Sequence, residues 1–300
     1  MIEEYLARLR AELDGADPAV VHDATYDADE YLRAALADVP EDEQVEAMAA
    51  VEESYGSPAE VAAAYMDAER VTSRPSPKPA ASAGGAKGLA QSFFGVVVDP
   101  RAWGALMYML LSLATGIVYF TVVVTGISLS LGLSILIIGI PMMLLFLAIV
   151  RVVSLGEGRL VEALLGERMP RRPALPPADA GFFKRIAWWL KDYRTWTTML
   201  YMVLMLPLGI VYFTVIVTGL SVSLSLFVGP LVQAVTNQPM IVNGDYGYFI
   251  QWWAFPLVWA LGVLVFLLTL HLAKLVGWLH GSYAKVMLVG RFSSADQAAT

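Results

Sequence analysis

Long uncharged apolar runs alternate with short polar segments over the last two hundred residues of the chain. From Ala102 to Val150 there are 49 residues without one charged side chain. A helix crosses the hydrocarbon core of a bilayer in about 20 residues, so this run is long enough for two spans and a tight turn. A second pair of spans is indicated further on. The four predicted spans lie near 103–127, 134–153, 196–220 and 250–273.

The two pairs are copies of one unit. Gly116–Ser130 and Gly209–Ser223 are identical at 12 of 15 positions, and over Asp99–Ser130 and Asp192–Ser223 the agreement is 19 of 32. An internal repeat of this kind predicts a duplicated two-helix hairpin. The predicted fold is therefore all-α, with four transmembrane helices built as two parallel two-helix repeats, related by an axis along the membrane normal.

Polar side chains follow one face of each first span. Tyr108, Ser112, Thr115 and Tyr119 are spaced i, i+4, i+7 and i+11, which places them on one helical face, and Tyr201 and Tyr212 repeat the track. Such side chains favour the interior of a bundle. Two interpretations stay open: close helix packing, or a ligand cleft bordered by Tyr119 and Tyr212. The candidate residues are Tyr108, Thr115, Tyr119, Tyr201 and Tyr212.

The connection within the second hairpin is longer than that in the first. The run Leu224–Val235 is too short to span a bilayer and contains Gly229-Pro230, which favours a re-entrant or interfacial segment. A polar group follows it, and this group is either a solvated loop or an element that recognises an external ligand or partner. Its members are Asn237, Gln238, Asn243 and Asp245.

The distribution of Lys and Arg predicts the orientation. The connections 128–134 and 221–249 contain neither residue, whereas the segments 70–101, 151–194 and 274–291 contain many. Since positive charge is retained in the cytoplasm, both termini are expected to be cytoplasmic, with the protein in a bacterial inner membrane.

The first 70 residues differ in charge from the rest. They hold 4 Arg and 19 Asp or Glu, a net charge of −15, while residues 71–300 hold 16 Lys or Arg and 8 acids, a net of +8. This asymmetry predicts separate domains. Apolar stripes at helical spacing predict a small helical domain, with Ser57, Pro58 and Glu60 as a capping box. The predicted divisions are 1–70 (acidic helical domain), 71–89 (flexible linker), 90–180 and 181–292 (the two repeat units) and 293–300 (tail).

Chemistry-bearing motifs are few. The chain has no cysteine and only three histidines, which excludes disulfides and Cys-based metal sites. We identify no catalytic constellation, phosphate-binding loop or metal-ligand cluster, so we expect a protein that is not an enzyme and has no cofactor. His271 lies one turn from Lys274 and is expected at the membrane interface. The alternative is an intramembrane pairing with Glu157 or Glu162.

Two parts of the chain resemble known families. The stretches "EYLARLRAEL", "DADEYLRAAL" and "YGSPAEVAAAYM" resemble the HAAS-type helical signalling domain. The two hairpins, with "TWTTMLYMVLMLPLGIVYF" and "GRLVEALLG", resemble the four-span bacterial putative sensor domain, which is often fused to histidine kinases. No kinase is expected here, because the sequence ends at Thr300. The HAAS resemblance implies a protein partner, for which a PadR-like transcription regulator is the family's example.

These features predict a non-enzymatic membrane sensor that couples an outer or intramembrane event to a cytoplasmic protein partner through residues 1–70. The alternative is a membrane subunit that transports or binds a lipid or small hydrophobic molecule. We expect contact with the bilayer and none with nucleic acid, and a homo-oligomer stays possible. The acidic domain is further expected to dock on a basic surface, either that of a partner or the chain's own 151–194 connection.

Overall fold

The computed structural model describes residues 1–72, 91–170, 191–243 and 246–289, apart from single residues 38, 41, 92, 134, 136 and 137. Four short helices come first: α1 (Ile2–Glu12), α2 (Pro18–Leu36), α3 (Gln44–Tyr55) and α4 (Pro58–Thr72). Four long helices follow: α5 (Pro100–Leu133), α6 (Gly139–Leu165), α7 (Tyr193–Thr236) and α8 (Phe255–Leu288). The linker at 72–88, the segment 181–190 and the tail fall almost wholly outside the described residues.

The four short helices form a small domain, called the head (residues 1–70). Its core includes Tyr5, Leu9 and Leu32, all fully buried, and the Tyr5 hydroxyl donates to the Gly56 carbonyl at 2.7 Å. The predicted capping box starts α4: the Glu60 carboxylate accepts from the Ser57 N–H at 2.9 Å, and the Glu60 N–H donates to the Ser57 hydroxyl at 3.4 Å. These bonds to Ser57 hold the pKa of Glu60 below its usual value.

The four long helices confirm the number of predicted spans, and each is apolar and long enough to cross a membrane. Each is also longer than predicted. The interpretation of Leu224–Val235 as a re-entrant or interfacial segment is wrong, because α7 continues through Pro230 and ends only where Asn237 adopts a left-handed conformation. Proline is tolerated in an apolar helix when neighbours bind the exposed backbone, and here the Trp259 indole donates to the Phe227 carbonyl at 3.1 Å.

Close glycine contacts join the two units. A side chain at Gly116 would collide with the Met205 backbone, and one at Gly209 would collide with the Ser112 backbone. Gly116 and Gly209 are equivalent in the repeat, so the contact between α5 and α7 is reciprocal. Small residues allow such close approach of helices in lipid, where packing replaces the hydrophobic effect as the main driving force.

The second helices of the two units are also equivalent, with a different offset. Gly126 packs on Phe146, and its repeat partner Gly219 packs on Thr269. Phe146 and Thr269 are 123 residues apart (269 − 146). The same offset pairs Arg151 with Lys274, Glu157 with His280 and Gly158 with Gly281. The longer connection between the two helices of the second unit explains why this offset exceeds the 93 residues that separate the first helices.

Two ion pairs cross between the units. Arg151 of α6 binds Asp192, which caps α7, at 2.6 Å, and Lys274 of α8 binds Asp99, just before α5, at 2.6 Å. Asp99 and Asp192 are equivalent in the repeat, as are Arg151 and Lys274. Each second helix is therefore tied to the start of the other unit's first helix.

Residue numbers increase in the same direction on α5 and α8 along their contacts: Asp99 contacts Lys274, Ala105 contacts Gly277 and Tyr108 contacts His280. Where they meet, α5 and α8 run in the same direction. In parallel copies of one hairpin, α5 and α8 would run in opposite directions. The observed register therefore differs from the predicted one. It follows from α5 and α7 running in opposite directions, since Met109 shares a core cluster with Ile216 and Val123 shares one with Met202. The parallel arrangement predicted for the two repeat units is therefore not the one in this structure.

The connection between α7 and α8 contains a small antiparallel hairpin of β1 (Ile241–Asn243) and β2 (Tyr246–Tyr248). Gln233 of α7 holds its far end: the Gln233 side chain donates to the Ile250 carbonyl at 2.6 Å and accepts from the Ile250 N–H at 2.9 Å. This side chain thereby satisfies both backbone groups of Ile250.

Candidate functional site

A carboxylate lies in the interior of the four long helices. Glu157 of α6 is fully buried. Three tyrosine hydroxyls donate to it: Tyr108 at 2.5 Å and Tyr201 at 2.6 Å to Oε1, and Tyr119 at 2.7 Å to Oε2. A buried carboxylate is costly unless hydrogen bonds replace its lost water, and bonds to a charged acceptor are among the strongest in proteins. The three hydroxyls provide that replacement.

A histidine lies beside the same tyrosines. His280 of α8 is 1% exposed. Its Nε2 lies 2.6 Å from the Tyr108 hydroxyl and 3.0 Å from that of Tyr201, and its Nδ1 lies 3.2 Å from the Tyr212 hydroxyl. Tyr108 and Tyr201 already give their protons to Glu157, so the Nε2–H of a neutral imidazole donates to their oxygens. Nδ1 then accepts from Tyr212.

These six side chains form one polar cluster, and it follows the internal repeat. Glu157 and His280 occupy equivalent positions on α6 and α8. Each binds the two tyrosines of its own unit and one from the other unit. The members of the polar cluster are Tyr108, Tyr119, Glu157, Tyr201, Tyr212 and His280. The two units are thus joined in the interior by an acid in one copy and a base in the other.

Four of the five tyrosine-stripe candidates are in the polar cluster. The fifth, Thr115, is not, since its hydroxyl donates to the Ser112 carbonyl of its own helix at 3.3 Å. Tyr119 and Tyr212, expected to border a cleft, reach Glu157 and His280 respectively. Whether this face serves packing or ligand binding stays a prediction.

Sequence reasoning missed Glu157 and His280 as the centre of the site. It singled out His271, which instead contacts the Phe93 carbonyl at 3.0 Å and stacks on the Phe93 ring. The alternative pairing of His271 with Glu157 is not the arrangement observed. A usable signal was present: the recurrence of Gly158 and Leu165 at Gly281 and Leu288 would have aligned Glu157 with His280.

The outer polar group is spread along the connection. Asn237 ends α7, the Gln238 N–H donates to the Thr236 hydroxyl at 3.3 Å, and Asn243 pairs with Tyr246 in the hairpin. Asp245 lies outside the described residues. Asn237 therefore has a structural role as a helix terminator, while a recognition role for the group stays a prediction.

The head contacts the C-terminal ends of α6 and α8. Lys285 of α8 forms an ion pair with Asp17, and Arg168, three residues beyond α6, lies 3.5 Å from Asp23 and 3.1 Å from Glu69. The Arg168 side chain is 16% exposed. Since Arg168 belongs to the 151–194 connection, the head lies on part of the basic surface proposed for it.

Within the described ranges, no group of three or more His, Asp or Glu side chains is arranged to hold a metal ion. The polar groups of the interior are instead turned towards one another.

An N-terminal helical domain, four membrane-capable helices and a buried polar cluster define a multi-pass membrane protein with an attached signalling-type domain. Residues 108–288, more than half of the chain, match the family described as "Putative sensor", and the chain belongs to this family. Residues 4–64 match the family described as HAAS. No curated protein and no solved structure matches the chain. These matches fit a membrane sensor or signalling role.

Proposed function

We propose that the protein is a non-enzymatic membrane sensor whose head reports the state of the four-helix bundle to a cytoplasmic protein. The observation that carries this proposal is the contact of the head with α8 and with the end of α6. Lys285 binds Asp17 only five residues beyond His280 on the same helix. A rotation or shift of α8 at the polar cluster therefore moves the residue that holds the head.

The contact of α6 with the head supports the same relay. Arg168 follows the helix that carries Glu157, and it binds Asp23 and Glu69 from two different head helices. Glu167 lies between the two ends, against Gly281 and 4.0 Å from Lys285. Changes at either member of the acid–base pair thus reach the head through a short, packed segment.

The strength of this contact suits a reversible switch. Ion pairs with solvent access contribute about 0–1 kcal/mol each, because water and salt screen them. Those at the head are partly buried, with side chains between 5% and 27% exposed. Such a contact holds a tethered domain in place and still releases it when the helices move.

Released, the head offers a strongly acidic surface to a partner. Its net charge of −15 disfavours the anionic inner leaflet and favours a basic protein. HAAS domains are generally thought to bind partner proteins, and the resemblance noted above makes a PadR-like regulator the first partner to test. In this proposal the basic residues Arg168 and Lys285 compete with the partner for the same acids.

The experiment uses the full chain in lipid nanodiscs, with a specific protease site inserted between residues 72 and 88. After cleavage the head should stay with the membrane part at 0.1 M salt and leave at 1 M, because the Debye length falls from about 10 Å to about 3 Å. Arg168→Gln with Lys285→Gln should release it at low salt.

The matched control is Arg159→Gln. Arg159 is an exposed cation on α6 that pairs with Glu162 of its own helix. It should behave as the wild type. Release of the wild-type head at every salt concentration, or equal retention in the Arg168/Lys285 variant, would contradict the relay.

A further inference from the structure

We propose that Glu157 and His280 form a proton-operated latch between the two repeat units, and that protonation of the polar cluster is the event that moves the head. This inference deepens the proposed function by naming the regulation of its site, and it rests on that function.

In one protonation state every donor has an acceptor. With Glu157 ionised and His280 neutral, the hydroxyls of Tyr108, Tyr119 and Tyr201 donate to the carboxylate, and Tyr212 donates to Nδ1. The Nε2–H donates to the oxygens of Tyr108 and Tyr201. The cluster is then fully bonded, but it carries one net negative charge in the interior of an apolar bundle.

One added proton removes the charge and breaks the pattern. On His280 it occupies Nδ1, so the Tyr212 hydroxyl loses its acceptor and has to turn away. On Glu157 it would add a donor that needs an acceptor of its own and would also displace one of the three tyrosine bonds, so the latch takes its proton on His280. A buried donor or acceptor left without a partner costs about 1–3 kcal/mol, while burial of an isolated charge is also unfavourable. The two costs oppose each other, which is the condition for a switch.

Few other ionisable groups face His280. From α5 it meets Tyr108, from α7 Tyr201 and Tyr212, and from its own helix the ring of Tyr283. Glu157 of α6 is reached through Tyr108 and Tyr201, and Glu167 lies against the neighbouring Gly281. The cations nearest along α8, Lys274 and Lys285, are each paired with a carboxylate outside the cluster.

The test measures the position of the head between pH 8.5 and 5.5, a range that stays above the usual pKa of exposed carboxylates, about 4. The chain has no cysteine, so cysteines at the exposed Val45 of the head and Val152 of α6 carry spin labels on the full chain in nanodiscs. Pulsed electron paramagnetic resonance should show a second, longer distance at pH 5.5.

The two latch variants should fix opposite states. His280→Gln keeps a donor and an acceptor but takes up no proton, so the short distance should persist at both pH values. Glu157→Gln removes the net charge, so the long distance should be present at both. Tyr283→Phe is the matched control, because the Tyr283 hydroxyl is buried without a hydrogen-bond partner among the described residues. It should respond as the wild type does.

The other histidines give the decisive comparison. His22→Asn and His271→Asn should keep the response. Loss of the response in His22→Asn alone would place the sensor at the head contact, since His22 adjoins Asp23, and would overturn the latch. So would a wild type whose distance does not change with pH, or a response that survives in His280→Gln.

A measurement on the wild type protects the test against variants that do not fold. In ¹⁵N-histidine spectra, assigned with His22→Asn and His271→Asn, the His280 signal should change over the same pH range as the distance. A His280 signal that stays constant to pH 5.5 would also overturn the latch. The double variant Arg168→Gln with Lys285→Gln separates the two proposals. If it releases the head while a change of pH does not move the head, the proposed relay to the head is supported and only the proton-operated latch is contradicted.

Discussion

Tyr108 and Tyr201, 93 residues apart in the sequence, lie with their hydroxyl oxygens 3.3 Å apart, and both donate to Oε1 of Glu157. They are equivalent residues of the two repeat units. Their meeting brings the duplicated helices together around one acid and one base.

Removal of either hydroxyl should therefore have nearly the same effect. Tyr108→Phe and Tyr201→Phe each take one donor from a buried carboxylate and one acceptor from His280, so each should lower the free energy of unfolding by roughly 1–3 kcal/mol. Unfolding in mixed micelles with increasing denaturing detergent measures the loss. Tyr283→Phe removes a hydroxyl that has no hydrogen-bond partner among the described residues and lies beside the same rings, so it should cost little. A neutral effect of either cluster variant would mean that the bonds to Glu157 are not formed.

The two crossing ion pairs should differ in strength. Arg151 and Asp192 are 16% and 17% exposed, whereas Lys274 and Asp99 are 49% and 22% exposed, and a pair with less solvent is screened less. Arg151→Gln should thus destabilise the bundle more than Lys274→Gln. The same unfolding assay ranks them, and the exchanged pair Arg151→Asp with Asp192→Arg should recover part of the loss. Equal effects from both glutamine variants would argue against this ranking.

The Lys and Arg distribution makes a prediction about topology. Reporter enzymes fused after residue 70, within 170–180 and at the C-terminus should be active on the cytoplasmic side, and one inserted at 240–245 should report the outside. The insertion at 240–245 is the most informative of the four, because the register between α5 and α8 bears on the orientation of the second unit. A cytoplasmic signal at 240–245 would show that the second unit is inverted relative to the first.

The sequence was sufficient for the coarse fold. Uncharged runs of 20 or more residues predict spans whatever their neighbours, and Pro18, Ser57 and Glu60 mark helix starts by local chemistry alone. The same locality explains the error at Leu224–Val235: a proline usually ends a helix, whereas α7 continues through both Pro207 and Pro230.

The candidate site was predictable in part. The tyrosine stripe is visible because the first helices are nearly identical copies. Glu157 and His280 are not, since the second helices have diverged and a lone acid or histidine near Lys and Arg looks interfacial. The recurrence of Gly158 and Leu165 at Gly281 and Leu288 is a weak sign of their equivalence, and the contacts Gly126–Phe146 and Gly219–Thr269 establish the offset. The head contact needed the structure, because charge alone does not select Arg168 and Lys285 among many cations.

The coupling between the polar cluster and the head is the central claim, and hydrogen–deuterium exchange tests it most directly. Glu157→Gln changes one atom in the interior of the bundle and none in the head. We expect faster exchange, relative to the wild type, in head peptides that contain Asp17, Asp23 and Glu69, with no change in Arg159→Gln. Head exchange that is identical in Glu157→Gln and the wild type, in a variant that remains folded, would contradict it.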